Sequence, residues 1–352
     1  MRFVKNKFGH PLLRVNQIFC TKMVIPMPSP THKWIFIPAI ILLFILPACA
    51  SNATIVLPEE TQSEELITST LSPLEESMSP KKTLVIAHRG ARSLAPENTL
   101  AAARKAVEIG ADMWELDVSV TADGELFLMH DDTLDRTCNV EEVFPDRKPW
   151  TVKDFTLTEI RQLDCGQWFN IKDPFKQIQA GKVSLDDQQA YKGEKAPTLR
   201  EALEFTKANN WAVNIEIKQQ PDDATARLAV EKTVALVAEL GMDDGRQVVI
   251  SSFEHEYLKQ VSELNGQIPV QVLTSEIIQD LEQYLTNYGT RYINPKSSVW
   301  SYQQIKELSA KGIAFNVWTV NDELVMKALI NSNVNGIITD FPQLLIPLLE
   351  EN

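Results

Sequence analysis

From residue 83 onward the chain alternates between short apolar runs rich in Val and Ile and stretches whose apolar residues recur at helical spacing. TLVIAHR (83–89) leads into ENTLAAARKAVEIG, where Leu100, Ala103 and Val107 share a helical face and Gly110 closes the helix. MWELDV (113–118) and ELFLMHD (125–131) come next, then WAVNIEIK (211–218) and a helical run from Asp222 to Leu240. QVVISSF (247–253), PVQVLT (269–274), RYIN (291–294), AFNVWTV (314–320) and NGIITD (335–340) complete the series, mostly separated by amphipathic stretches. Such alternation predicts a parallel sheet covered by helices. Nine candidate strands exceed the eight of a closed barrel, and the short RYIN reads as the surplus one. Only SVTADG joins the runs at 113–118 and 125–131, too little for a crossover helix. The expected fold is therefore α/β: an irregular (β/α)8 TIM barrel over residues 83–350, with a bare extended return between two neighbouring strands.

Between Asn139 and Lys195 the alternation gives way to a Pro-, Asp- and Trp-containing stretch with a predicted helix around 156–164. It reads as an inserted subdomain after the third strand, on the face of the barrel where such folds place their chemistry. The sequence carries no Gly-rich dinucleotide fingerprint and no phosphate-binding Gly-Lys-Ser loop, which weighs against a nucleotide-binding open sheet.

The first 49 residues are of another kind. Six Lys and Arg without a single Asp or Glu precede WIFIPAIILLFILPAC (34–49), an apolar run interrupted by Pro38 and short for a membrane-spanning helix. Basic region, apolar region and small-residue ending together predict a signal peptide. The closing LPAC resembles the lipobox of bacterial lipoproteins, with Cys49 as the lipidated residue; an uncleaved anchor helix is the alternative. Both readings place the rest of the chain outside the cytoplasm, facing the periplasm or cell exterior and tethered to a membrane. Residues 50–82, rich in Ser, Thr, Glu and Pro, read as a flexible acidic linker. With 28 basic against 47 acidic residues, the chain beyond residue 49 carries a net charge of −19. That charge excludes nucleic acid as an expected partner. Cys138 and Cys165 are consistent both with a pair in an oxidising compartment and with independent buried thiols.

Polar residues gather at the ends of the predicted strands. The first delivers His88 and Arg89; the second carries Glu115 and Asp117 at i, i+2, on one side of a strand. The third ends in His130 and Asp131, and the fourth carries Glu216 and Lys218, again at i, i+2. Each has a packing explanation alone: an exposed edge, an internal ion pair, a hydrogen-bonded histidine. Buried glutamates on two strands, however, cost several kcal/mol unless paired or metal-bound. Three carboxylates form an all-oxygen set suited to a hard cation, Ca²⁺ or Mg²⁺. Two histidines suit an acid and a base near neutral pH, and Arg89 and Lys218 suit a phosphate. The combination points to displacement at a phosphodiester.

HRG followed by PENT, then ELDV, DG and HDDTLDRT, then EIK, SSF and WTVN, resembles the glycerophosphodiester phosphodiesterase family, whose barrel is of the phosphatidylinositol phospholipase C type, over residues 83–342. FPDR (144–147), DFTLTEI (154–160) and PTLREAL (197–203) resemble its periplasmic branch. RTCN at 136–139 departs from the family in placing Cys138 where a second Thr is common. The resemblance implies metal ligation by Glu115, Asp117 and Glu216, acid–base roles for His88 and His130, and phosphate contact by Arg89 and Lys218. It also implies an aromatic substrate wall at Trp318 and Phe253, which by pattern alone read as core. Pro96 and Glu97 read as the first turn of a helix, and Asn98 as a local hydrogen-bonding residue. The implied activity is hydrolysis of small glycerophosphodiesters to an alcohol and sn-glycerol 3-phosphate, with one divalent cation and no obligate protein partner. The rival expectations are a lysophospholipase D or phosphoinositide-cleaving enzyme, and a catalytically silent surface-binding lipoprotein.

Overall fold

The computed structural model describes residues 83–350. The expected signal peptide (1–49), its Cys49 and the linker (50–82) lie outside the described residues. Eight strands pair in parallel: β1 (Leu84–Ala87), β2 (Met113–Val120), β4 (Ala212–Ile217), β5 (Val248–Ser252), β6 (Val270–Thr274), β7 (Tyr292–Pro295), β8 (Ala314–Val317) and β9 (Gly336–Thr339). β9 returns to β1 in the register Leu84↔Gly336 to Ala87↔Thr339, which closes the barrel. The helices are α1 (Leu100–Glu108), α2 (Leu199–Ala208), α3 (Asp223–Glu239), α4 (His255–Leu264), α5 (Leu281–Asn287), α6 (Tyr302–Ala310), α7 (Glu323–Ile330) and α8 (Pro342–Glu350), one after each parallel strand and the loops or insertion that follow it.

Alternation within each strand divides the buried volume in two. Trp114, Leu116 and Val118 of β2, with Val213, Ile215 and Ile217 of β4, face outward and pack under the helices. The inward residues form an apolar floor of Ile86, Met113 and Ile338 and a polar layer in which Asn294 and Asn316 both donate to Gln271 Oε1, at 2.9 and 3.0 Å. Side-chain caps fix the starts of α1, α2, α3, α6 and α7. Thr198 and Glu201 form a capping box on α2, and Asp222 accepts from Ala224 N and Thr225 N on α3.

Two expectations about the strands are corrected. RYIN is not the surplus strand: Tyr292–Pro295 is a full barrel member between β6 and β8. The surplus is β3 (Leu126–Leu128), which runs antiparallel to β2 in the register Val118↔Leu128 and Val120↔Leu126. Ser119 and Val120 extend β2, and residues 121–125 form a hairpin turn, with Thr121 Oγ1 donating to Asp123 Oδ1 at 2.6 Å and Gly124 at φ +77°. β1 pairs with β2 only at Met113 and Trp114, so the upper part of that edge of β2 is free to take β3.

The predicted inserted segment holds only short helices: Val140–Val143, Leu157–Ile160, Gln167–Lys172 and Leu185–Ala190. The helix expected over 156–164 is one turn, started by a Thr156–Glu159 capping box and finished at Ile160. Leu134, Trp150, Phe155, Ile160 and Leu163 close a small core around Phe127 of β3. Cys138 and Cys165 form a disulfide across it, which resolves the alternative the sequence left open. Tyr191 OH donates to Leu94 O at 2.9 Å and Glu194 Oε1 accepts from Ala101 N at 3.0 Å, so the insertion is pinned to the segment between β1 and α1 and to the first turn of α1. That segment differs from expectation too. α1 begins at Leu100 with Thr99 as its cap, so Pro96 and Glu97 precede the helix and Glu97 is turned inward. Among the described residues no helix is long and apolar enough to cross a membrane.

Candidate active site

Residues 113–120 place Glu115 and Asp117 inside the barrel because the alternate Trp114, Leu116 and Val118 are claimed by the helix layer. The same logic turns Asn214 and Glu216 of β4 inward, and the parallel register sets Glu115 beside Asn214 and Asp117 beside Glu216. All three acids are buried, and one oxygen from each lies within 4.8 Å of the others. Burial, then the neighbouring acids, pushes Glu115 well above the usual glutamate range and Glu216 upward. Asp117 is held at about 2: burial opposes this, but Arg89 and Lys218 outweigh it. Asn214 Oδ1 is buried beside the group with no hydrogen-bond partner. An all-oxygen set with excess negative charge and an unpartnered buried carbonyl oxygen fits a hard divalent cation.

The two histidines reach this group from different directions. His88 follows β1 directly, and its Nδ1 meets Asp340 Oδ1 just beyond β9 at 2.6 Å. Its Nε2 lies 4.0 Å from Glu115 Oε2. Burial, reinforced by Arg89, lowers the affinity of His88 for a proton. His130 arrives on the antiparallel return: β3 leads back down along β2, and Met129 N donates to Asp117 O at 3.1 Å. His130 Nδ1 is held by Asp131 Oδ1 at 2.7 Å. Each ring therefore has one nitrogen occupied by a carboxylate, an arrangement that fixes orientation.

A charged network lies behind these groups. Arg89 adopts φ +54°, which turns its amide onto Glu115 Oε2 at 3.0 Å while its guanidinium sits 2.7 Å from Glu97 and 3.2 Å from Asp117. Gly90 follows at φ +82°, where a Cβ would stand 2.6 Å from that of Ala102. The alanine face of α1 and the missing side chain of Gly90 thus let helix and loop approach closely. Glu97 also receives Arg92 at 2.7 Å and Arg136 at 2.7 Å. Burial alone would raise its pKa, but the three guanidiniums hold it well below the usual range. Asn98 is not a local hydrogen-bonding residue as expected. Its side chain donates to Asp117 Oδ2 at 2.8 Å and accepts from Asp117 N at 3.2 Å.

Two cavities meet at this point. A smaller one, about 260 Å³, is lined by His88, Arg89, Glu115, Lys218 and Trp318 among others. A larger one, about 760 Å³, extends over the insertion residues Thr151–Lys153 and the loop after β4. His130, Glu216, Lys218 and Phe253 border both. Phe253 and Trp318 stand edge to face, 5.5 Å between centroids. Neither is core: Phe253 is 41% exposed and Trp318 is half-buried.

The structure thus brings His88, Arg89, Glu115, His130, Glu216, Lys218, Phe253 and Trp318 to one cavity, with Asp117 directly behind. Cys49 lies outside the described residues. Arg89 and Lys218 already serve carboxylates, since Lys218 Nζ is 2.9 Å from Glu216 and 3.7 Å from Asp117. Sequence reasoning missed Asp340, Glu97, Arg92 and Arg136. Asp340 carried the same signal as the others, a charge at a strand's C-terminal tip.

Comparison with known proteins bears on what this arrangement serves. Residues 88–344 match the model of the glycerophosphoryl diester phosphodiesterase family. A glycerophosphodiester phosphodiesterase of Caldanaerobacter subterraneus subsp. tengcongensis is 34% identical over 77% of this chain and 99% of its own length. One from Bacillus subtilis is 31% identical over 76% of this chain and 86% of its own. Among solved structures, an Oleispira antarctica phosphodiesterase in complex with the product sn-glycerol-3-phosphate superposes with a TM-score of 0.63. It shares 26% identity, covering 76% of this chain and 97% of that one.

Proposed function

The chain belongs to the glycerophosphoryl diester phosphodiesterase family, and from that premise we propose that it hydrolyses small glycerophosphodiesters to an alcohol and sn-glycerol 3-phosphate. The observation that carries the finer reading is the pair of carboxylate-held histidines facing one cavity beside a buried triad of acids. The smaller cavity would take the glycerol phosphate and the larger one the departing alcohol, with His130 at the junction.

Burial and Arg89 favour the neutral form of His88, and because the ionised Asp340 carboxylate 2.6 Å away can only accept, we assign the ring hydrogen to Nδ1. Its other nitrogen is then free to accept the proton of the attacking hydroxyl, which belongs to water or to the glycerol 2-position by way of a cyclic phosphate. His130 donates a proton to the leaving oxygen as the ester P–O bond breaks; on the cyclic route water then attacks the phosphorus, giving its proton to His130, while His88 returns a proton to the glycerol 2-oxygen as the ring P–O bond breaks. Glu115, Asp117 and Glu216 would hold one divalent cation, Ca²⁺ or Mg²⁺, which supplies positive charge to polarise the phosphate. Arg89 and Lys218 orient the acids of that group and present donors towards the phosphate.

The test is release of choline and glycerol 3-phosphate from glycerophosphocholine, after chelation and after re-addition of each metal. Turnover should vanish with chelation and return with one cation, and His88→Ala and His130→Ala should each lower kcat by roughly 10²–10⁴. Near-normal turnover in both variants would refute the assignment, and preference for lysophosphatidylcholine, with release of choline, would move it to a lysophospholipase D. The reading extends to the N-terminus, where the apolar run and LPAC ending support export and anchoring through Cys49. Labelled palmitate should enter the full-length protein in a bacterial host and be absent from Cys49→Ser; equal labelling of both would exclude the anchor.

A further inference from the structure

Glu97 lines neither of the two cavities, yet it is the most heavily ion-paired acid near them. It is only 5% exposed, and both carboxylate oxygens are shared among guanidiniums. Oε1 accepts from Arg89 Nη1 and Arg136 Nη2, each at 2.7 Å; Oε2 accepts from Arg92 Nη2 at 2.7 Å and Arg136 Nη1 at 3.1 Å.

The remaining face of each arginine is what matters. Arg92 Nη1 donates at 3.3 Å to Asp340 Oδ1, the oxygen that holds His88. Arg136 donates through Nε and Nη2 to Asp131, whose Oδ1 holds His130. Arg89 Nε lies 3.2 Å from Asp117 Oδ2. Three chains of one arginine and one carboxylate therefore radiate from Glu97, two of them ending on the rings to which proton transfer was assigned. The guanidiniums of Arg92 and Arg136 hydrogen-bond a carboxylate on both sides and so transmit direction as well as charge, whereas Arg89 acts on Asp117 through charge alone.

We propose that Glu97 is a positioning residue that sets the orientation of both histidines at once, through Arg92–Asp340 on one side and Arg136–Asp131 on the other. The proposal rests on the proton-transfer roles given above. A glutamine cannot replace it: its NH2 would face guanidinium donors, so one side of the hub must let go.

The experiment compares two substrates, glycerophosphocholine and the p-nitrophenyl ester of glycerol 3-phosphate, whose leaving group departs without a proton. In Glu97→Gln, kcat on glycerophosphocholine should fall by about 10- to 100-fold, as expected for loss of an outer-shell partner, with KM within threefold. Arg136→Gln should lower kcat on glycerophosphocholine while largely sparing the nitrophenyl ester, because only the His130 arm is cut. Arg92→Gln should lower both alike, because the His88 arm is needed for either. The Arg136 side chain is 40% exposed, so its variant keeps the test alive if Glu97→Gln does not fold. Turnover within threefold of wild type in all three variants would overturn the proposal. So would an equal loss on both substrates in Arg136→Gln accompanied by a fall in Tm. Wild-type turnover of glycerophosphocholine tests the underlying reading by itself, so the two fail separately.

Discussion

Glu97 and Asp340 are acids kept ionised inside the protein by cations and, for Asp340, by His88. Burial works against this in both, and the partners win. An acid whose pKa is depressed on folding lends stability that is complete above its unfolded value and disappears as pH falls through the folded one. For Glu97 the unfolded value is near 4.5. Glu115 and Glu216, shifted upward, act in the opposite sense, so the useful measurement is a difference. Tm of wild type minus Tm of Glu97→Gln should be largest above about pH 5 and shrink steadily towards pH 3. A difference independent of pH would show that Glu97 is not ionised in the fold. Single residues were legible in the sequence where their own strand explained them. Glu115, Asp117 and Glu216 interrupt apolar alternation, and His88 and His130 cap apolar runs. Asn98 and Asp340 were not, because their roles are set by partners 19 and 252 positions away, which spacing does not record. Glu97 was not either, because its arginines at separations of 5, 8 and 39 meet it only through the turns of a loop and the insertion.

Among the elements, the hairpin and the insertion decide how the site is walled. The six residues between the apolar runs at 113–118 and 125–131 excluded a crossover helix, and a connection that short permits only an antiparallel return. Length alone did not separate β7 from β3, since both are brief and apolar, and only pairing shows which completes the barrel. The insertion was legible as a break in pattern and no further, since its helices are a turn or two long and its core depends on contacts with Phe127 of β3. Its disulfide spans 27 positions, and closure of a loop that long contributes roughly 3–4 kcal/mol by restricting the unfolded chain. Cys138→Ser/Cys165→Ser should therefore unfold at lower denaturant concentration than the oxidised wild type, while kcat at 25 °C stays within about twofold. Denaturant titrations with and without reductant check this; equal midpoints would mean that packing alone holds the insertion.

For the molecule as a whole, closure of the barrel joins the first strand to the last. β1 pairs with β9, His88 N donates to Thr339 O at 3.0 Å, and Asn321 Nδ2 holds Asp340 Oδ2 at 2.7 Å. Contacts between residues about 250 positions apart are costly to form early, because the intervening chain must first be ordered. The acidic triad, by contrast, belongs to β2 and β4 and is in place once the first half of the barrel exists. A growing chain can thus assemble its candidate cation site well before it can orient His88. The carboxylate partner of His88 is therefore absent from the growing polypeptide until the segment from Gly336 to Asp340 has been made and the last strand has joined the first.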